Sequence, residues 1–380
     1  MTDIPLALGY DDVLLVPQRT SLTSRALADT ATHLVPGLSL AIPVVSANTP
    51  WCTGAEMAIA MARAGGLGVL HRACTPEQQV SALAQVKAAS VTDQALSPTV
   101  DDAGQLRAGA AVGIRGDWKR RAALLVELGV DVLVVDVAHG HADYVLTVIE
   151  KLKTAYPHLP VVGGNVATAA GTRDLINAGA DAVKVGIGPG GICTTRIVAG
   201  SGVPQFTAVR NCAAEAAARS VPIIADGGIK TPGDLVKALA AGAHTAMLGS
   251  ALAGADESCA EASVHNGRPV KMSTGYTTFG MQLTLKKACG EQVSREELEA
   301  YLPEGVEATY EATGPLERTL HPYIAGLRSG MSYSGAATLQ ELRRRAEFVR
   351  MTAAGAAEGH PHALGRAEQA PLDSSEGASR

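Results

Sequence analysis

The sequence predicts a closed (β/α)8 barrel, the TIM-barrel class of α/β proteins. Short β-branched apolar runs recur eight times, and Ala- and Leu-rich segments of helical period lie between them. Most of those segments close on a glycine suited to a helix C-terminus. Continuously apolar strands alternating with helices imply a parallel sheet covered by helices. Eight such units favour a barrel over an open sheet.

The strand candidates, in order, are AIPVVSAN (41–48), GLGVLH (66–71), GAAVGI (109–114), VDVLVVDVA (130–138), LPVVGGNV (159–166), ADAVKVGI (180–187), VPIIADGG (221–228) and HTAMLGS (244–250). Helical segments between them include GAEMAIAMARAG, DWKRRAALLVELG, residues 167–180 and DLVKALAAG. With 380 residues, 47% of them hydrophobic, the chain can fill one large core or two smaller ones. The expected division is a single barrel domain over residues 1–356 with a mobile flap at about 280–315. The tail, residues 357–380, is polar, rich in small side chains and Pro-interrupted, and is expected to be disordered.

The 32 basic and 37 acidic residues give a net charge of −5. That balance offers no bulk attraction to nucleic acid or to an anionic membrane, so an anionic ligand must be held by local geometry. The N-terminal MTDIPLALGYDD lacks the basic lead and apolar run of a signal peptide, and no later segment runs eighteen apolar residues unbroken. A cytoplasmic protein acting on small molecules is expected. Six cysteines (Cys52, Cys74, Cys193, Cys212, Cys259, Cys289) form no CxxC pair or His/Cys cluster, which suggests neither a disulfide framework nor a zinc site.

In a barrel of this class, reactive groups belong at the C-terminal strand ends and in the loops that follow. Ser46 and Asn48 end the first strand, Asp136 and His139 the fourth, and Asn165 the fifth. VGIGPGGICTTR (185–196) follows the sixth, Asp226-Gly227-Gly228 the seventh, and Gly249-Ser250 the eighth. Clustered glycines let backbone approach a ligand and leave the loop free to move. Cys193 displayed there is reachable, and Arg196 nearby would favour its thiolate, the nucleophilic form. The ordinary role of a cysteine is a small core hydrophobe; the glycines, the barrel rim and the arginine argue against it here. DGG and GS together fit the phosphate site that barrels build after strands seven and eight, with Asp226 as an acceptor for ribose hydroxyls. Pro50-Trp51 reads as a stiff turn rather than a pocket wall.

Several segments carry a resemblance. YDDVLLVP (10–17), MAIAMARAGGLGVLHR (57–72), GGNV (163–166), GIGPGGICTTRIVAGSGVPQ (186–205), IADGGI (224–229), MLGSALAGADES (247–258), LRSGMSYSGAATLQEL (327–342) and EGHPH (358–362) together resemble the IMP dehydrogenase/GMP reductase family. The resemblance spans nearly the whole chain, and the GPGxxCTTR loop is its most specific part. It implies that Cys193 attacks C2 of a purine nucleotide, that Thr195 relays a proton, and that a covalent thioimidate forms. Asp136, Asn165, Gly186 and Gly188 would face a nicotinamide cofactor, NADPH in a reductase or NAD in a dehydrogenase. Ser46, Asp226, Gly227, Gly228, Gly249, Ser250, Gly275 and Tyr276 would contact the nucleotide. Carbonyls of Gly188, Gly190 and Cys193 would bind a monovalent cation, potassium, completed by the Glu358-Gly359-His360 region of a neighbour in a homotetramer.

The family's regulatory pair of CBS modules is missing, because residues 71–113 cross from the second unit to the third through a linker of ordinary length. The dehydrogenases' Arg-Tyr flap pair is also missing from residues 286–315, which hold Arg295 and Tyr301 apart; Ser294-Arg-Glu-Glu297 reads as a capped helix start. The reductases' glutamate position holds Phe279, leaving Glu291, Glu296 or Glu297 as acids that could replace it. Around the nucleotide, Gly191, Ser273, Tyr276 and Thr49-Pro50 depart from the family pattern, which suggests retained chemistry on an altered base. Three readings stay open. One is a GMP-reductase-like enzyme acting on GMP or a guanine-like nucleotide, for example a 7-deazapurine. The second is an IMP dehydrogenase, and the third a nucleotide-binding pseudoenzyme.

Overall fold

The computed structural model describes residues 4–91, 97–273, 283–284, 286–287, 294, 296 and 302–359. Eight parallel strands close on one another: β1 (Val44–Ser46), β2 (Leu67–Leu70), β3 (Gly109–Val112), β4 (Val132–Asp136), β5 (Val161–Val166), β6 (Ala182–Val185), β7 (Ile223–Asp226) and β8 (Thr245–Leu248). Each strand pairs with its neighbour in sequence, and β8 closes the barrel onto β1 with Ala246 opposite Val44 and Leu248 opposite Ser46. Every predicted run holds one strand.

Around them lie α1 (Ala55–Arg63), α2 (Pro76–Ala88), α3 (Trp118–Glu127), α4 (Asp143–Ala155), α5 (Ala169–Asn177), α6 (Gln205–Ala217), α7 (Pro232–Ala240) and α8 (Leu316–Tyr333). Local chemistry sets their ends. Thr75 and Thr231 cap α2 and α7 in reciprocal boxes with Gln78 and Asp234, each followed by a proline in the first turn, where its missing N–H costs nothing. Past the C-termini of α1, α3, α5 and α7, Gly65, Gly129, Gly179 and Gly242 turn the chain at φ between +79° and +120°. A side chain there would cost about 1–2 kcal/mol, which is why these helices stop at glycine.

The strands are mostly apolar because helices cover them outside and side chains fill them inside. All five residues of β4 are buried. Leu83, Leu125, Ile149, Leu175, Phe206 and Leu239 bring the helices down onto this wall at 2% exposure or less. Each such burial contributes roughly 1.5–3 kcal/mol.

The two barrel ends are finished differently. A hairpin of Thr32–Val35 and Leu38–Leu40 lies at the N-terminal end, where Thr32 donates its hydroxyl to the His244 carbonyl at 2.9 Å. Beyond the C-terminal end stands an antiparallel sheet of Glu261–His265, Arg268–Ser273 and Ala308–Glu311. Thr313 N–H to Gly254 O (2.8 Å) and Asp256 N–H to Gly314 O (2.9 Å) tie this sheet to the loop after β8.

Strand 308–311 belongs to the segment expected as a flap; most of residues 280–301 lie outside the described residues. So does the expected tail beyond Gly359, although helix Ala353–Glu358 crosses the expected boundary at 356. Among the described residues, no helix is long and apolar enough to cross a membrane.

Candidate active site

The C-terminal strand ends open into a cavity of about 610 Å³. It lies in the size range of small-molecule and cofactor sites. Cys193 lines it with Thr195, and the Cys193 Sγ lies 3.1 Å from the Thr195 Oγ1. Both are part-buried, so the thiol is held yet reachable.

Main-chain bonds place the thiol. Cys193 N–H donates to Gly190 O at 3.1 Å, closing a tight turn. On its other side the loop is stitched to residues 304–306: Thr194 N–H reaches Glu304 O and Val306 N–H reaches Ile192 O, both at 2.9 Å, with Cys193 opposite Gly305. Arg196 donates from Nε to Ile187 O at 3.3 Å and from a terminal nitrogen to Val203 O at 2.6 Å. It therefore pins the loop, whereas the sequence placed it as the thiolate's counter-ion. Partial burial pulls the guanidinium down from its ordinary range, and the nearby Cys193 opposes that pull. Gly188, at φ +76°, is required: a Cβ there would run into the Arg196 side chain.

Beneath the thiol the cavity floor is charged. Lys184, in the middle of β6, is 3% exposed. Its ammonium donates to Asp226 Oδ2 at 2.8 Å, lies 3.4 Å from Asp136 Oδ1 and also bonds Asn165 Oδ1. Asn165 returns its amide to Asp226 Oδ2 at 2.9 Å and to Gly186 O at 2.7 Å. Asp136 also meets Arg72 Nε at 3.8 Å. Burial pulls the Lys184 pKa down, but Asp226 and then Asp136 outweigh it, so the ammonium is held above the usual lysine range. Two strands' carboxylates thus share one buried cation.

Of the expected site residues, Asp136, Asn165, Gly186, Gly188, Gly190, Cys193, Thr195, Asp226, Gly227, Gly228, Gly249 and Ser250 all line this cavity. Ser46 is placed differently. It is fully buried and its hydroxyl donates to Thr53 Oγ1 at 2.9 Å while Thr53 donates to Ala47 O at 2.7 Å, so it supports the β1 end from behind while Ala47 and Asn48 line the cavity. Gly275 and Tyr276 lie outside the described residues, as do Phe279, Glu291, Arg295, Glu297, Tyr301 and His360.

Pro50-Trp51 does form a turn, closed by Cys52 N–H to Thr49 O at 2.9 Å, and Trp51 is a cavity wall as well: it is 6% exposed, lines the cavity and stacks on Tyr310 at 6.2 Å between ring centroids. Sequence reasoning also missed Lys184, whose signal is a lone charge inside an apolar strand, and the approach of residues 304–306 to the loop, which no local spacing signals.

A family profile described as "IMP dehydrogenase / GMP reductase domain" matches residues 7–362. Inosine-5'-monophosphate dehydrogenase from Bacillus subtilis is 37% identical over 96% of this chain and 97% of its own. GMP reductase from Leishmania donovani is 34% identical over 96% and 98%. These alignments run over 477 and 483 positions against 380 residues here, so those relatives carry a segment that this chain lacks. In structure, GMP reductase from Trypanosoma brucei in complex with guanosine 5'-monophosphate superposes with a TM-score of 0.88 at 34% identity, covering 95% of this chain and 99% of that one. A closed barrel, a cysteine on a glycine loop at its mouth and this agreement along nearly the full length place the chain in the IMP dehydrogenase/GMP reductase family, as a member without the CBS module.

Proposed function

We propose that this protein is a purine-nucleotide oxidoreductase that works through a covalent adduct between Cys193 and C2 of the base, in the reductive direction. The supporting observation is the Cys193 Sγ held 3.1 Å from the Thr195 hydroxyl at the mouth of a cavity floored by Lys184, Asp136 and Asp226. The substrate is GMP or a guanine-like nucleotide. Attack forms the S–C2 bond, the C2–amino bond breaks and ammonia leaves. The thioimidate then resolves to the C2–H base of IMP as the S–C2 bond breaks.

The chain's residues have separable roles. Thr195 exchanges the proton of the thiol. For the acid that serves the leaving nitrogen, Glu291, Glu296 or Glu297 is the proposed source; Glu304 meets the loop through its carbonyl and is not among the residues that line the cavity. Asp226 accepts from ribose hydroxyls, and the Gly227-Gly228 and Gly249-Ser250 backbones hold phosphate. The family's cofactors are nicotinamide nucleotides, and the cavity fits one in size and in the polar edge presented by Asp136, Asn165 and Gly186. When bound, reduced nicotinamide supplies a hydride; NADPH is the proposed form.

For the monovalent cation, carbonyls of Gly188, Gly190 and Cys193 are the proposed donors. The Gly190 oxygen already accepts from Cys193 N–H, and its second lone pair still fits a potassium ion. A neighbour's Glu358–His360 region would complete it in a cytoplasmic homotetramer.

The reductive direction is favoured because residues 286–315 contain no Arg-Tyr pair to activate water. The oxidative reading, IMP to XMP with NAD, is favoured by the 37% identity to dehydrogenases. Mixing the protein with GMP and NADPH in potassium buffer decides between them. Loss of reduced-nicotinamide absorbance with IMP and ammonia formed is the expected result. XMP formed from IMP and NAD, with GMP inert, would reverse the direction. Labelling by a 6-chloropurine nucleotide, abolished in Cys193→Ala, separates both from a pseudoenzyme.

A further inference from the structure

We infer that Tyr310 is the positioning residue of the phosphate cradle, aiming the Ser250 hydroxyl at the phosphate from a platform provided by Trp51. The inference rests on the reading of the β7 and β8 loops as the phosphate site, and adds two residues from outside those loops.

Ser250 follows β8 directly, and its Oγ accepts a hydrogen bond from the Tyr310 hydroxyl at 3.1 Å. An oxygen that accepts on one side is polarised to donate its own proton on the other. A Cβ added at Gly191 would sit 3.3 Å from that Oγ, so only hydrogen separates the Gly191 backbone from the hydroxyl. One residue back along the same loop, Gly190 N would lie 3.2 Å from a Cβ at Gly227, which has φ +88°. The loop after β6 therefore brings the Gly191 backbone beside the Ser250 hydroxyl, and the loop after β7 brings Gly227 against the same glycine stretch, a cradle that added side chains would fill.

Tyr310 is not free to drift from this task. It lies opposite Lys271 in the antiparallel sheet, and the Lys271 ammonium donates to Asp256 O at 2.8 Å and Ser258 O at 2.9 Å. The strand that presents the phenol is thus fastened to the loop that carries Ser250. The phenol ring stacks on Trp51 with planes 24° apart. Trp51 in turn packs against Gly249, where a Cβ would come within 3.1 Å of its Cη2. Its buried indole N–H has no hydrogen-bond partner among the described residues, so packing and stacking hold the ring. A tryptophan kept at that cost is serving as a surface.

The test compares wild type, Tyr310→Phe, Ser250→Ala and the double variant by titration calorimetry with ribose 5-phosphate, GMP and guanosine. Phenylalanine keeps the ring on Trp51 and removes only the hydroxyl; unchanged thermal melting shows the fold is kept. Tyr310→Phe is expected to weaken ribose 5-phosphate and GMP by a common factor of about 5–10, to leave guanosine unchanged, and to add nothing in the Ser250→Ala background. Trp51→Phe is expected to show the same pattern more weakly.

Equal losses for GMP and guanosine, or no loss with Tyr310→Phe while wild type binds ribose 5-phosphate, would overturn the positioning role and leave the proposed reaction standing. Ribose 5-phosphate affinity that drops in Tyr310→Phe while GMP and IMP fail to bind wild type would uphold the cradle and sink the purine reading. Wild type that binds none of the phosphate compounds would overturn both.

Discussion

The two ends of the barrel both bury polar side chains, but only one end sets them beside a cavity. At the N-terminal end the ion pairs Lys87–Asp131 and Lys153–Asp181 lie away from the cavity, and other polar side chains bond main-chain atoms. Thr32 bonds His244 O, His244 Nδ1 accepts from Ile223 N–H at 3.3 Å, and Arg343 donates to Ala243 O at 3.4 Å. At the C-terminal end side chains bond one another: Lys184 with Asp136, Asn165 and Asp226, and Cys193 with Thr195. A side chain bonded to backbone away from the cavity finishes a strand end. Charged groups bonded to one another beside a cavity can re-partner with a ligand, so polar groups serve stability at one end and are available for chemistry at the other.

The contrast can be broken from the reactive end first. Cys193→Ala should lower turnover at least about 10⁴-fold with no fall in melting temperature, because the thiol is part-buried and packs little; steady-state rates and calorimetric melting check both halves. Lys184→Met should affect both properties. Leaving Asp136 and Asp226 facing each other without their cation is expected to cost about 3–5 kcal/mol in denaturant titrations, along with most activity. Lys184→Arg should recover part of each. Thr195→Val should lower kcat about 10²-fold and leave nucleotide KM nearly unchanged, since the hydroxyl moves a proton without gripping the ligand.

The opposite end sharpens the comparison through pH. Burial first, then Arg343 and His33, lower the His244 pKa from 6.5 to about 3. The folded ring therefore stays neutral where an unfolded one takes up a proton. Its contribution is present above pH 6.5 and is lost progressively as pH falls towards 3, by roughly 1 kcal/mol per pH unit for this partly exposed ring. His244→Gln should flatten that acid limb of stability while leaving neutral-pH activity unchanged. An activity loss in His244→Gln would mean that the two ends are coupled after all.

What could be read from the sequence follows the same division. The strands were legible because a barrel strand, covered on both faces, is mostly apolar. Cys193, Asp136, Asn165 and Asp226 were legible because reactive groups gather where those runs end. Lys184 was overlooked because it sits inside a run, although a charge there needs a carboxylate from another strand. Its partners Asp136 and Asp226 are 48 and 42 residues away. Tyr310 lies 60 residues from Ser250 and in a different sheet, so no local spacing could connect them. The Val13–Leu15 pairing with Phe348–Arg350 was invisible for the same reason. Ser46 sits at a strand end as expected, but its side chain is buried against Thr53, and Ala47 and Asn48 beyond it line the cavity.

Among the described residues, the loop that carries Cys193 is joined to residues 304–306 through main-chain atoms, Thr194 to Glu304 and Val306 to Ile192. Backbone bonds are indifferent to which side chains the residues carry. A lineage can therefore replace side chains of either segment one at a time while the thiol keeps its register with residues 304–306. The thiol's address is written in the backbone, and the specificity around it is free to be rewritten.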